Sequence, residues 1–131
     1  MEIQTDNEKE GYPFPCYSYD KTNAIIMNTG YIMTSDSIDI KYILGILNSK
    51  LGKFLTKQYV SQLQQRQFRM LAQFVTKFPI YYPSKENELL IANMVQRRLD
   101  TGNIEIEKRI DKKVYELYGL NQEEIDFIES L

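Results

Sequence analysis

Histidine is absent from the 131 residues. With it go His-based zinc sites, Ser-His and Cys-His nucleophilic pairs, and HNH-type nuclease centres. Cysteine occurs once, at Cys16, so no intrachain disulfide can form and a reducing cytoplasm is the expected home. No apolar run approaches the ~18 residues of a membrane span, and residues 1–10 are acidic rather than basic and apolar like a signal peptide. A Gly-rich phosphate loop is missing too: Gly45 and Gly52 fall inside a helical pattern, not between a strand and a helix. There is no Pro-Pro for an amino-methylation motif and no Glu-x-Lys for a metal-dependent nuclease. The carboxylate pairs Glu105/Glu107 and Glu123/Glu124 sit at spacings that diverge on a helix, as on a solvated face. The chain is therefore expected to be no enzyme, with no catalytic residue, no metal and no cofactor.

What is present fits one globular domain. Hydrophobic residues make up 43% and charged residues 26%, and a chain of this size buries roughly two-thirds of its unfolded surface without staples. The net charge of −2 hides a segregation. Residues 1–39 hold two basic and seven acidic side chains, a balance of −5; residues 86–131 hold six basic and eleven acidic, again −5. Between them, residues 41–85 carry Lys41, Lys50, Lys53, Lys57, Arg66, Arg69, Lys77 and Lys85 with no Asp or Glu, a balance of +8. At the chain's mean acidic density about six carboxylates belong there. The same stretch holds six glutamines: Gln58, Gln62, Gln64, Gln65, Gln67 and Gln73. Arginine reads guanine edges, glutamine reads adenine edges, and lysines neutralise phosphates. That composition suits a nucleic-acid face, and it equally suits a basic surface docking on an acidic protein partner or on the chain's own acidic ends.

Local patterns set the expected elements. Residues 1–11 lack periodicity and read as a flexible end. Residues 17–19 read as a strand, 20–23 as a turn, and 24–28 with 31–34 as a hairpin across Thr29-Gly30. Ile40, Ile43, Leu44, Leu47, Leu51, Phe54 and Leu55 then form one unbroken helical stripe, capped by Asp39 or Ser37. Residues 67–71 read as a strand, and 77–83 are extended because Pro79 and Pro83 forbid a helix interior. A second helix is capped by Ser84, turns Leu89, Ala92, Val95 and Leu99 inward, and ends near Gly102. A third carries Ile106, Ile110, Val114, Leu117 and Tyr118 to Gly119. Asn121 and Glu124 form a capping box for a last helix, with Leu120 and Ile125 as its staple. The expected class is α+β: a small β-hairpin or sheet core packed on an amphipathic helix, followed by a C-terminal helical segment.

Three stretches carry a resemblance. Tyr42-Ile43-Leu44-Gly45-Ile46-Leu47-Asn48-Ser49-Lys50-Leu51 looks like a leucine-rich helix followed by an Asn-Ser-Lys signature. Phe78-Pro79-Ile80-Tyr81-Tyr82-Pro83 resembles a Pro-Ile-x-x-Pro exit. Ile110-Asp111-Lys112-Lys113-Val114-Tyr115-Glu116-Leu117-Tyr118-Gly119-Leu120, followed by Glu123-Glu124-Ile125, matches an Ile-Asp-x-x-Val-Tyr-x-Leu-Tyr-Gly-Leu-x-x-x-Glu-Ile ending. In this order, across residues 14–131, they are similar to the TaqI-like specificity domain. That is the target-recognition domain at the C-terminus of type IIG restriction–modification enzymes and their N6-adenine DNA methyltransferase relatives.

The resemblance implies non-catalytic recognition of double-stranded DNA, with the chemistry done by upstream nuclease and methyltransferase domains of a parent chain. The expected organisation is a flexible segment (1–11), a recognition core (12–83) and a helical segment packed on it (84–131). Recognition loops follow the Asn-Ser-Lys helix in that family. Arg66 and Arg69 are thus expected on bases or phosphates, Gln64, Gln65 and Gln67 on base edges, and Lys50, Lys53, Lys57 and Lys77 on phosphates, with Gln62 also on the DNA. Asn48 and Ser49 are expected to cap or pack the helix end. Val114, Tyr115, Leu117 and Tyr118 are expected to pack the terminal helices on the core or on the parent chain's methyltransferase domain; alternatively they form the face of a homodimer. The remaining alternative is a protein-interaction module with a basic docking face.

Overall fold

A computed structural model describes residues 3–5, 15–25, 32–59, 61–64, 67–69 and 76–131, with 3–5, 61–64 and 67–69 described as backbone. Helix α1 (Ile40–Asn48) starts where Asp39 accepts the Lys41 N–H at 2.9 Å, so Asp39 is the cap. The Asp39 N–H in turn donates to Glu88 at 2.9 Å, tying this start to a distant helix. The single long helix expected from the apolar stripe is broken. Ser49 is extended (φ −66°, ψ 162°), and a second helix, α2 (Lys50–Tyr59), leaves from it. The buried Ser49 hydroxyl donates to the Ile46 carbonyl at 2.6 Å and accepts the Gly52 N–H at 3.0 Å, ending one helix and capping the next. The two helices then approach so closely that a Cβ on residue 52 would lie 2.0 Å from the Ile46 carbonyl oxygen.

Three helices complete the core: α3 (Lys85–Thr101), α4 (Glu105–Tyr118) and α5 (Gln122–Glu129). Their ends follow the local signals. Ser84 accepts the Asn87 N–H at 3.2 Å, and Asn121 with Glu124 makes the reciprocal capping box. Gly102 and Gly119 end α3 and α4 at positive φ, where a side chain is disfavoured. Arg98 on α3 meets Glu107 on α4 at 2.8 Å. The core joins Tyr42, Ile46 and Leu51 to Ile91, Val95, Ile110, Val114 and Ile128. Gly45 admits α3 to this core, because a Cβ there would sit 2.9 Å from the Ile91 side chain. On α3 the inward residues are Ile91, Ala92, Met94 and Val95, whereas Leu89 and Leu99, expected inward, are exposed. Seven apolar residues crowd this helix, so several stripes fit the sequence; only packing on α1 selects one.

The α+β expectation is overturned, and the class is all-α. Apart from Pro15 and Pro83, the buried apolar side chains among the described residues all lie on helices. Among the described residues, strand pairing is limited to β1 (Ile3–Thr5), β2 (Ser61–Gln64) and β3 (Gln67–Arg69), short antiparallel segments in the order β1-β3-β2. The N-terminal residues expected as flexible thus include a paired strand. Residues 17–19 are not a strand: the Tyr17 backbone is satisfied by a side chain, with Asn48 accepting its N–H at 3.1 Å and donating to its carbonyl at 2.9 Å. The expected turn at 20–23 is present. Asp20 accepts the Thr22 hydroxyl at 2.6 Å and the Thr22 and Ala24 N–H groups, and Asn23 takes a positive φ of 55°. Of the expected hairpin over 24–34, the described ends, 24–25 and 32–34, are not strands, and 26–31 lie outside the described residues. No helix among the described residues is long and apolar enough to cross a membrane.

Candidate nucleic-acid interface

Asn48, Ser49 and Lys50 each hold a different part of the chain. Asn48 clamps the Tyr17 backbone, Ser49 bridges α1 and α2, and the Lys50 N–H donates to Asp111 on α4 at 2.8 Å. The Lys50 ammonium pairs with Glu129 at the end of α5. The other Glu129 oxygen accepts the Tyr115 hydroxyl at 2.8 Å. Asn48 and Ser49 are therefore structural, as expected.

The electrostatics of this junction run in opposite directions at its two carboxylates. Desolvation pushes the Asp111 carboxyl above the usual range, against the Lys50 N–H and the charges of Lys50 and Lys53, while the Glu129 charge adds to the rise. Glu129 is held below the usual range by the Lys50 hydrogen bond and then by Tyr115. Burial raises the Tyr115 hydroxyl, with its Glu129 partner adding to the effect.

The exit segment is fixed by two tyrosines from the other two stretches. The Tyr42 hydroxyl donates to the Tyr81 carbonyl at 2.7 Å. The Tyr118 hydroxyl donates to the Pro79 carbonyl at 2.7 Å and accepts the Tyr81 N–H at 3.0 Å. All three sequence stretches thus meet in one clasp around α1 and α2, and the Val114–Tyr118 cluster faces this core as expected. The chain between the clasped helix α2 and the clasped residue Pro79 is the span where the arginines and glutamines lie.

The positions expected to contact DNA separate into groups. Lys50 sits at the start of α2 against Glu129; Lys53 is half-buried, within the electrostatic reach of Asp111. Lys57 lies half-buried in the last turn of α2, and Lys77 is exposed in the turn that precedes the exit segment. Gln62 and Gln64 lie on β2, and Gln67 and Arg69 on β3. Their backbones form an antiparallel ribbon that sets Gln64 opposite Gln67, Gln62 opposite Phe68 and Ser61 opposite Arg69, with an irregularity between 62 and 64. Gln65 and Arg66 lie outside the described residues. Sequence reasoning missed Asp111, Tyr115 and Glu129 as anchors of α2. One signal was available: Asp111 is a carboxylate inside the stripe Ile110, Val114, Tyr115, Tyr118, where a solvated charge does not belong.

A family model, the TaqI-like C-terminal specificity domain, matches residues 9–80. The chain belongs to that family. The match takes in the Asn-Ser-Lys stretch and the start of the exit segment; the Ile110–Leu120 stretch lies beyond it. Neither a curated protein nor a solved structure matched. Membership of the TaqI-like specificity domains gives the chain a DNA-recognition role in restriction–modification, and such a domain is non-catalytic by itself.

Proposed function

We propose that this chain is the DNA sequence-reading module of a type II restriction–modification enzyme of the type IIG kind, cytoplasmic, acting on double-stranded DNA. Methylation and cleavage then belong to upstream methyltransferase and nuclease domains of a parent chain. Residues 12–83 form the reading core and 84–131 its helical support. The isolated chain, parted from those domains, can pair with a second copy through its exposed apolar side chains.

The observation that carries this reading is the carboxylate-free, arginine- and glutamine-rich span within the family match, strung between two clasped ends. A two-stranded antiparallel ribbon is one of the elements that a major groove admits. Arg66 and Arg69 serve bases or phosphates, Gln62, Gln64, Gln65 and Gln67 base edges, and Lys57 and Lys77 phosphates. Lys53 serves phosphates as well, and Lys50, paired with Glu129, serves chiefly to hold α2 in place.

Fluorescence anisotropy with a labelled duplex tests the proposal. Binding should weaken as salt rises from about 50 to 200 mM, and Arg66→Glu combined with Arg69→Glu should abolish it while the melting temperature is kept. Affinity indifferent to salt, or untouched by the double reversal, contradicts it. Loss of binding to an acidic polypeptide but not to DNA in the same variant favours the protein-docking alternative.

A further inference from the structure

The ion pair between Lys50 and Glu129 joins the acid-free stretch to the last helix, and the inference drawn from it rests on the DNA-reading role proposed above. Lys50, Lys53 and Lys57 fall at i, i+3 and i+7 of α2, within one strip of its surface. That helix is followed directly by the ribbon segment, so the strip leads toward the region assigned to the duplex. Lysines in such a row attract phosphates whatever the base sequence. At Lys50 a carboxylate intervenes. One Glu129 oxygen takes the Lys50 ammonium, and the other is held at 2.8 Å by the hydroxyl of Tyr115, a residue only 4% exposed. A buried tyrosine of α4 therefore fixes the orientation of the acid, not the lysine alone. The pair lies at the surface, its side chains 46% and 42% exposed, so a phosphate can approach the ammonium once the charge of the acid is removed.

We propose that Glu129 tunes the sequence-independent DNA affinity of this chain: by neutralising Lys50 it withholds one phosphate contact from α2. Non-specific affinity, and its dependence on salt, grow with each phosphate neutralised. Asp111 has a separate part. It accepts the Lys50 backbone N–H and so fixes where α2 begins, whatever the side chain of residue 50 does.

The test compares the full chain with Glu129→Gln, Lys50→Met and the double variant, titrated against a short mixed-sequence duplex across a salt series. Glutamine keeps an oxygen for the Tyr115 hydroxyl, and thermal melts establish the folded fraction of each protein. Glu129→Gln should tighten binding several-fold at low salt and steepen the slope of log K against log salt by about 0.9. Lys50→Met alone should leave the wild-type slope unchanged, and in the double variant it should cancel the gain. An unchanged slope in Glu129→Gln overturns the proposal. So does a flatter slope in Lys50→Met, which would mean that this lysine already touches phosphate; that measurement decides the matter without the Glu129 variant. If none of the four proteins bound duplex, the DNA-reading role itself would fail and this inference with it. Binding with equal slopes would remove this inference only.

Discussion

Two regions of the acid-free stretch, alike in composition, are built differently. In the first, 41–59, the chain is helical, and partners remote in sequence hold it. Asn48 reaches the Tyr17 backbone, the Lys50 N–H reaches Asp111, and the Lys50 ammonium reaches Glu129. In the second, β3 pairs with both β2 and Ile3–Thr5 in short antiparallel segments. A run without carboxylates is therefore not by itself an exposed cationic surface. Acids brought in by the fold neutralise part of its charge, and the part left for a partner is smaller than the count of eight cations suggests.

That contrast can be broken or sharpened by substitution. The largest effect is expected in the clasp, at Gly52→Ala. The new methyl would meet the backbone of Ile46 and Leu47, which cannot swing aside, so the α1–α2 junction must open. A loss of about 3 kcal/mol in denaturant unfolding is expected, at the upper end of overpacking effects. Gly45→Ala meets side-chain methyls of Ile91, Val95 and Ile110, and gains helix propensity, so it should cost under about 1 kcal/mol. Equal effects at the two glycines would mean that the helix break is not rigid.

A smaller effect is expected from the two carboxylates that hold α2, and it should have opposite sign at each. The Asp111 pKa is raised on folding, so its contribution is most favourable at low pH and declines as pH climbs through the raised value. The Glu129 pKa is lowered, so its contribution is present above the ordinary carboxylate range and is lost as pH falls through the lowered value. Asp111→Asn should therefore gain on the wild type as pH rises from the acid range to neutrality, and Glu129→Gln should fall behind over the same interval. Urea titrations of both variants across that interval check the crossing; parallel curves would show that the two acids share one environment.

The local parts of this fold were legible in the sequence. Asp39, Ser84, the Asn121–Glu124 box and the terminating glycines Gly102 and Gly119 act within one turn, so a few adjacent residues define them. The break at Ser49 was not legible, because the apolar stripe from Ile40 to Leu55 keeps helical phase across it, and Ser49 and Gly52 reveal themselves only once Ile46 is placed. The α+β expectation failed for a related reason. Tyr17 has strand propensity, but its backbone partner is the Asn48 side chain, 31 residues away, not another strand. At the candidate site, the basic, glutamine-rich character of residues 57–77 is visible in composition. The pairing of Lys50 with Glu129 did not, since the partners stand 79 residues apart.

The central claim is that DNA meets the span between α2 and the exit segment while the terminal helices stay clear of it. Backbone amide shifts recorded during titration with duplex DNA test this most directly. The account predicts that the shifts concentrate at residues 57–77 and leave α4 and α5 unmoved; shifts concentrated on Glu105–Tyr118 and Gln122–Glu129, with 57–77 silent, would contradict it.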